Sequence, residues 1–202
     1  MTTEHETRIT PVTLATSDVA ATRSVAGVVA NHCRVGDVVL LVGDLGAGKT
    51  AFAQGVGTAL GIPEPVTSPT FTLVRHYAVP RSITGQDRGI SVLLHADVYR
   101  LDHLQEIADL GLGELVEDGG LALVEWGDMA EPLLGQDALV VTLLPDDVHD
   151  EHRRIVLQGR GSTWAARWSA LSAALEPWQA GPAVAGEVDG PAVAGEVKGT
   201  DR

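Results

Sequence analysis

The sequence has one cysteine, Cys33, in 202 residues, so no disulfide forms within the chain and a reducing compartment is the expectation. Cys33 is expected to pack at the end of a helix. Basic residues are also few: 14 Lys and Arg stand against 27 Asp and Glu, a formal net charge of −13. That balance excludes a broad basic surface for gripping nucleic acid without help; a partner has to supply one. No apolar run approaches membrane-spanning length, and Met1 to Arg8 is polar with no apolar core. The expectation is a cytoplasmic protein with neither a membrane span nor a signal peptide. No Asn-Lys-x-Asp motif occurs, which argues against a guanine-reading GTPase. What remains is ordinary for a globular α/β protein, at 45% hydrophobic and 20% charged residues, and the length suits one well-buried domain.

The densest signal runs from Val38 to Thr50. Val38-Val39-Leu40-Leu41-Val42 reads as a strand buried on both faces. It leads directly into Gly43-x-x-x-x-Gly48-Lys49-Thr50, the phosphate-binding loop pattern, and then into an opening helix. Glycines at 43, 46 and 48 allow backbone conformations in which successive N–H groups curl round a polyphosphate, so Asp44, Leu45, Gly46, Ala47 and Gly48 are candidate ATP-binding residues. The helix beginning beside Lys49 points its positive end at the same anion. Lys49 would reach the β- and γ-phosphates, and the Thr50 hydroxyl would ligate Mg²⁺.

Around this stretch the chain alternates strands and helices. Arg8 to Ala15, containing Pro11, suggests an edge strand. Thr16-Ser17-Asp18 offers N-caps for a helix from about Asp18 to His32. The helix after the phosphate loop is expected to end near Leu60, with Gly61 and Pro63 beyond it. A hydroxyl-rich loop, Pro65 to Thr70, feeds a strand from Phe71 to Ala78, and Val79 to Gly89 reads as a surface excursion. Ser91 to Tyr99 and Leu121 to Trp126 are apolar runs ending in polar residues, with helical spacing at Leu101 to Leu110 between them. Ala138 to Leu144 and Arg154 to Leu157 form a closing strand pair, and Ser162 to Leu175 reads as one final helix, burying Trp164 and Trp168. Gly181 to Val188 recurs as Gly190 to Val197, a Gly/Pro/Ala unit too thin for a solenoid. These divisions give a flexible N-terminus at 1–7, a domain at 8–176 and a disordered tail at 177–202.

In open α/β sheets ligands sit at the carboxyl ends of strands. If the runs ending at Val42, His95-Ala96-Asp97 and Glu125 are parallel neighbours, Asp97 and Glu125 converge on Lys49 and Thr50. Phosphoryl transfer from Mg-ATP needs acids there, one to hold metal and one to orient the nucleophile; the alternative is two strand-end acids facing solvent. His95 suits packing beneath a site, Trp126 a platform beside Glu125, and Arg100 a phosphate contact or a surface ion pair. Thr67, Ser68 and Thr70 suit either a loop sensing the γ-phosphate or a capped connection.

Together, Gly43 to Thr50, Ser68-Pro-Thr-Phe-Thr72, His95-x-Asp97-x-Tyr99-Arg100 and Val124-Glu-Trp126 with Asp128 resemble the bacterial TsaE family, over roughly residues 10 to 160. The resemblance implies a P-loop NTPase fold with a mixed, mostly parallel sheet flanked by helices in a single domain. It implies ATP hydrolysis in making threonylcarbamoyladenosine in tRNA, with docking onto the TsaD–TsaB complex and only indirect contact with tRNA. It also implies that Lys49 binds phosphate, that Thr50 and Glu125 bind Mg²⁺, that Asp97 is required for hydrolysis and that Ser68 to Phe71, with Ser68 and Thr70, is the switch-like loop. The base contact falls to Thr16 or Ser17, and a basic contribution to Arg153 or Arg154. Ala51 departs from the family pattern, where a second Thr is common, and the excursion at Pro80 to Gly89 is longer than the usual connection. Rival readings are a small-molecule kinase with an Arg-bearing lid at 79–89 and a non-catalytic, ATP-gated binding module.

Overall fold

The computed structural model describes residues 9–81, 89–101 and 103–179. Seven strands form one mixed sheet in the order β1-β7-β6-β2-β5-β4-β3. They are β1 Val12–Thr16, β2 Val38–Val42, β3 Val74–Ala78, β4 Val92–Asp97, β5 Gly120–Glu125, β6 Leu139–Pro145 and β7 Arg153–Gly159. The four central strands, β6-β2-β5-β4, are parallel, and β1, β7 and β3 pair antiparallel outside them.

The helices are α1 Val19–His32, α2 Lys49–Ala59, α3 Leu104–Ala108, α4 Leu112–Glu117, α5 Gly127–Leu134, α6 Gly161–Ala165 and α7 Trp168–Ala174. Strand β2 explains the layering. Val39 and Leu41 enter one core with residues of α1, α2 and α7, while Val38 and Leu40 enter the other with residues of α3, α4 and α5. Alternating side chains feed both faces, so the strand must be apolar throughout. The result is a single α/β domain with helices on both sides of the sheet.

Several boundaries depart from the sequence expectations. Strand β3 begins at Val74 rather than Phe71, because Thr72 and Leu73 turn back to donate N–H groups to the Pro69 carbonyl at 2.9 and 2.8 Å. Helix α5 occupies a stretch with no sequence assignment, where an internal Pro132 disguises the pattern. The single helix expected over Ser162 to Leu175 is two, with Arg167 between them at φ −109° and ψ −7°. Its side chain makes a bidentate pair with Asp37, both bonds 2.7 Å, and donates to the His32 carbonyl at 2.8 Å. The buried pair anchors the α6–α7 corner to the connection between α1 and β2.

Glu176–Trp178 forms a 3₁₀ turn, and Gln179 bridges to Leu14. Gln179, assigned by the sequence to the tail, is thus joined to β1. The expected flexible N-terminus, residues 82–88 of the excursion and the tail from 180 onward lie outside the described residues. Among the described residues no helix is long and apolar enough to cross a membrane.

Candidate nucleotide site

The connections leaving the adjacent parallel strands β2 and β6 run in opposite directions across the sheet, one towards β3 and the other to β7, and β5 flanks β2 on its other side. A crevice at the carboxyl end of β2 is where such sheets place ligands. The loop between β2 and α2 fills it. Gly43 has φ 141°, and a Cβ there would overlap the Leu143 carbonyl oxygen of neighbouring β6. Gly48 caps α2 in the left-handed region at φ 107°. Both positions require glycine, one for space and one for conformation.

Lys49 is buried with its ammonium inside the loop, donating to the carbonyls of Gly43 at 2.6 Å and Asp44 at 2.9 Å. It also lies 3.9 Å from the centre of the Trp126 ring. Burial lowers its pKa from the ordinary lysine value, and the charges of Glu125, Asp97, Asp44 and Asp128 oppose that fall. Trp126 reaches this position because its backbone is left-handed at φ 60°, a conformation costing about 1–2 kcal/mol for a non-glycine residue. The Tyr99 ring packs against Trp126 at a tilt of 35°, with centroids 4.6 Å apart.

The two acids converge as the strand-end reasoning expected. Asp97 ends β4, Glu125 ends β5, and they stand opposite each other in parallel register. The Thr50 hydroxyl donates to Glu125 Oε1 at 2.8 Å, and His95 Nε2 lies 2.9 Å from the same oxygen. Asp97 is engaged differently. Its Oδ2 accepts from Thr70 at 2.8 Å and from Ser68 at 3.5 Å, and its Oδ1 accepts the Tyr99 N–H at 3.1 Å. Thus Ser68 and Thr70 tie the loop preceding β3 to the carboxylate beside Glu125.

These groups line a cavity of about 300 Å³ that includes Leu45, Gly46, Gly48, Lys49, Thr50, Ser68, Thr70, Asp97, Tyr99, Glu125 and Trp126. Backbone N–H groups, an ammonium and a helix N-terminus suit a polyphosphate. A hydroxyl and a carboxylate are hard oxygen donors of the kind Mg²⁺ takes, and Thr50 and Glu125 present them together. The residues fit both groups. A more open cleft of about 680 Å³, between Asp128, Glu131 and Arg160, contains none of Lys49, Thr50, Asp97 and Glu125.

The remaining sequence candidates lie behind the loop or apart from it. Ala47 is buried, and its carbonyl accepts from Arg153 Nε at 2.9 Å, while Arg153 Nη2 donates to the Gly46 carbonyl at 3.2 Å. Arg153 therefore braces the phosphate loop from β7. Thr16 is not brought to the cavity; its hydroxyl is buried 2.9 Å from the Thr22 hydroxyl, across the β1–β7 seam from Arg153. The Arg100 guanidinium lies over the Phe71 ring, 4.7 Å from its centre. Tyr99, two residues after Asp97, joins the cavity wall through its contact with Trp126, a role its place in the motif did not by itself specify.

The family model described as "Threonylcarbamoyl adenosine biosynthesis protein TsaE" matches residues 16–155. The chain belongs to the TsaE family. A TsaE protein of Bacillus subtilis, described as a tRNA threonylcarbamoyladenosine biosynthesis protein, is 36% identical over 151 residues, 75% of this chain and 87% of the relative. A Streptomyces coelicolor TsaE is 38% identical over 135 residues, covering 65% and 86%. The crystal structure of Bacillus subtilis YdiB superposes with a TM-score of 0.64 at 31% identity, over 81% of this chain and 95% of that one. The TsaE match spans every cavity-lining residue from Leu45 to Trp126 and stops just after Arg153. Residues 156–179 of this TsaE-family chain, which finish β7 and build α6 and α7, lie beyond it.

Proposed function

We propose that the chain is a Mg²⁺-dependent ATPase that works in the cytoplasm in threonylcarbamoyladenosine synthesis on tRNA, driving or resetting a TsaD–TsaB transferase complex. Family membership supports the pathway. One observation carries the chemistry: the Thr50 hydroxyl, on the first turn of the phosphate-loop helix, bonds to Glu125 at 2.8 Å. That pair would hold Mg²⁺ beside a triphosphate seated in the loop, where the ion would neutralise phosphate charge.

In this reading the loop N–H groups and Lys49 bind the triphosphate, and Thr50 with Glu125 hold Mg²⁺. The ion supplies charge neutralisation at the oxygens where negative charge develops. Asp97 accepts a hydrogen bond from the attacking water and orients it. Trp126 and Tyr99 wall one side and limit solvent. The net charge of −13 leaves the tRNA contact to the partners.

The Thr70 and Ser68 bonds to Asp97 favour a second element: the loop before β3 changes partner when Asp97 takes up its role, so nucleotide state and loop position are linked. A purely gating module would use that link without turnover. The test is phosphate release by the purified chain, alone and with TsaD, TsaB and tRNA, with and without Mg²⁺, alongside retention of TsaD and TsaB on the immobilised chain. Mg²⁺-dependent release and ATP-dependent retention are expected. Retention without release leaves the gating module, and absence of both overturns the proposal.

A further inference from the structure

The turn joining β6 to β7 carries a group of side chains that the nucleotide site does not use. Asp146, His149 and His152 follow one another at intervals of three, and their ligand atoms all lie within 4.8 Å of one another. The two imidazoles are stacked, centroids 4.4 Å apart and planes 17° from parallel. His149 Nδ1 is 3.4 Å from Asp146 Oδ1. That same carboxylate oxygen accepts the N–H groups of Val148 and His149, both at 2.9 Å, which hold the Asp146 pKa below its ordinary value and keep the group ionised. Asp147, Asp150 and Glu151 complete the turn and add negative charge without a basic residue among them.

We propose that this turn binds one divalent transition ion of the Zn²⁺ class through Asp146, His149 and His152. Two imidazoles and a carboxylate form the three-ligand set of open zinc sites, with water completing the tetrahedron. Imidazole selects Zn²⁺, Ni²⁺ or Cu²⁺ over Mg²⁺, so the ion here differs in kind from the one suited to Thr50 and Glu125. Ligand atoms in a tetrahedral zinc site stand about 3.3 Å apart, so the cluster has to contract by up to roughly 1.5 Å. Its side chains have room to move, Asp146 and His149 being 43% and 61% exposed.

The turn is wired to the phosphate loop. Arg153 Nη1 donates to the carbonyls of Asp150 at 2.5 Å and His152 at 2.6 Å, while its other nitrogens brace Gly46 and Ala47. An ion that fixes His152 therefore stiffens the support behind the nucleotide loop.

The experiment is calorimetric titration of the tag-free full-length chain with ZnCl₂, without nucleotide and in excess MgCl₂, so its outcome is separate from the ATPase proposal. One ion per chain is expected to bind. His149→Gln and His152→Gln are each expected to weaken binding by about tenfold or more, and the double variant to abolish it. Substitution with Co²⁺ gives a second readout: ligand-field absorption in the wild type that the double variant loses. Absence of Zn²⁺ uptake by the wild type, or an unchanged isotherm in the folded double variant, overturns the proposal.

Discussion

His95 Nε2 lies 2.9 Å from Glu125 Oε1, and both residues are buried at the carboxyl ends of adjacent parallel strands. The imidazole and the Thr50 hydroxyl share that carboxylate oxygen, so they fix the direction in which the acid faces the loop. Replacing His95 with Leu leaves a buried carboxylate without one partner, a loss of about 1–3 kcal/mol. Mg²⁺-dependent phosphate release is expected to fall roughly tenfold to a hundredfold. His95→Gln, which returns an N–H donor, is expected to recover part of it. Equal rates in wild type and His95→Leu would remove the residue from the mechanism.

Lys49→Ala is expected to abolish ATP binding, measured by titration with a fluorescent ATP analogue. The lowered pKa adds a pH dependence. Burial holds the folded-state value below 10.5, so the ammonium is lost at less alkaline pH than in an exposed lysine. A bound triphosphate favours the charged form, so ATP affinity should fall as pH rises through the lowered value, with proton uptake on binding there. For stability the sign is opposite: between the lowered value and 10.5 the unfolded chain holds more protons, so Lys49's unfavourable contribution diminishes as pH rises. An alkaline affinity profile shared by wild type and Lys49→Arg would contradict this assignment, since arginine does not titrate in that range.

With Glu125 holding Mg²⁺ as proposed, Glu125→Ala should affect turnover far more than nucleotide binding, because such a contact matters most where charge moves. A loss of about a hundredfold or more in kcat is expected, with ATP affinity in the absence of Mg²⁺ little changed. Steady-state phosphate release and equilibrium binding together decide it, and equal turnover in the variant would free Glu125 of its role.

The Asp37–Arg167 pair is buried on both sides, at 3% and 6% exposure. Removing Asp37 strands the buried Arg167 charge, which keeps only its bonds to the His32 and Thr163 carbonyls. Asp37→Ala should therefore destabilise the fold by about 3–5 kcal/mol, read from the midpoint of urea unfolding. A loss below about 1 kcal/mol would mean that the α6–α7 corner is held by packing of Trp164 and Leu171 alone.

Much of this protein was legible before its fold was known, for local reasons. The five apolar residues of β2, the glycines at 43, 46 and 48, and Lys49-Thr50 lie within thirteen consecutive positions, and backbone geometry over that span needs no distant partner. The Asp18 cap of α1 and the Gly61 stop after α2 are local in the same sense. The pattern of buried runs ending in Asp97 and Glu125 also proposed that the acids meet, yet only strand order could decide it. β5 lies between β2 and β4, although it follows β4 in sequence, and parallel pairing on both sides sets Thr50, Glu125 and Asp97 at one end. The contacts among side chains far apart in the chain were tertiary from the start: Arg153 bracing Ala47 across 106 residues, Arg167 breaking a helix to reach Asp37 across 130, and Trp126 turning left-handed over Lys49. Local sequence specified the elements and the phosphate loop because short-range sterics and periodicity act within a few residues. The surroundings of that loop depended on which strands lie side by side, and that was settled only when the two cores closed on the sheet.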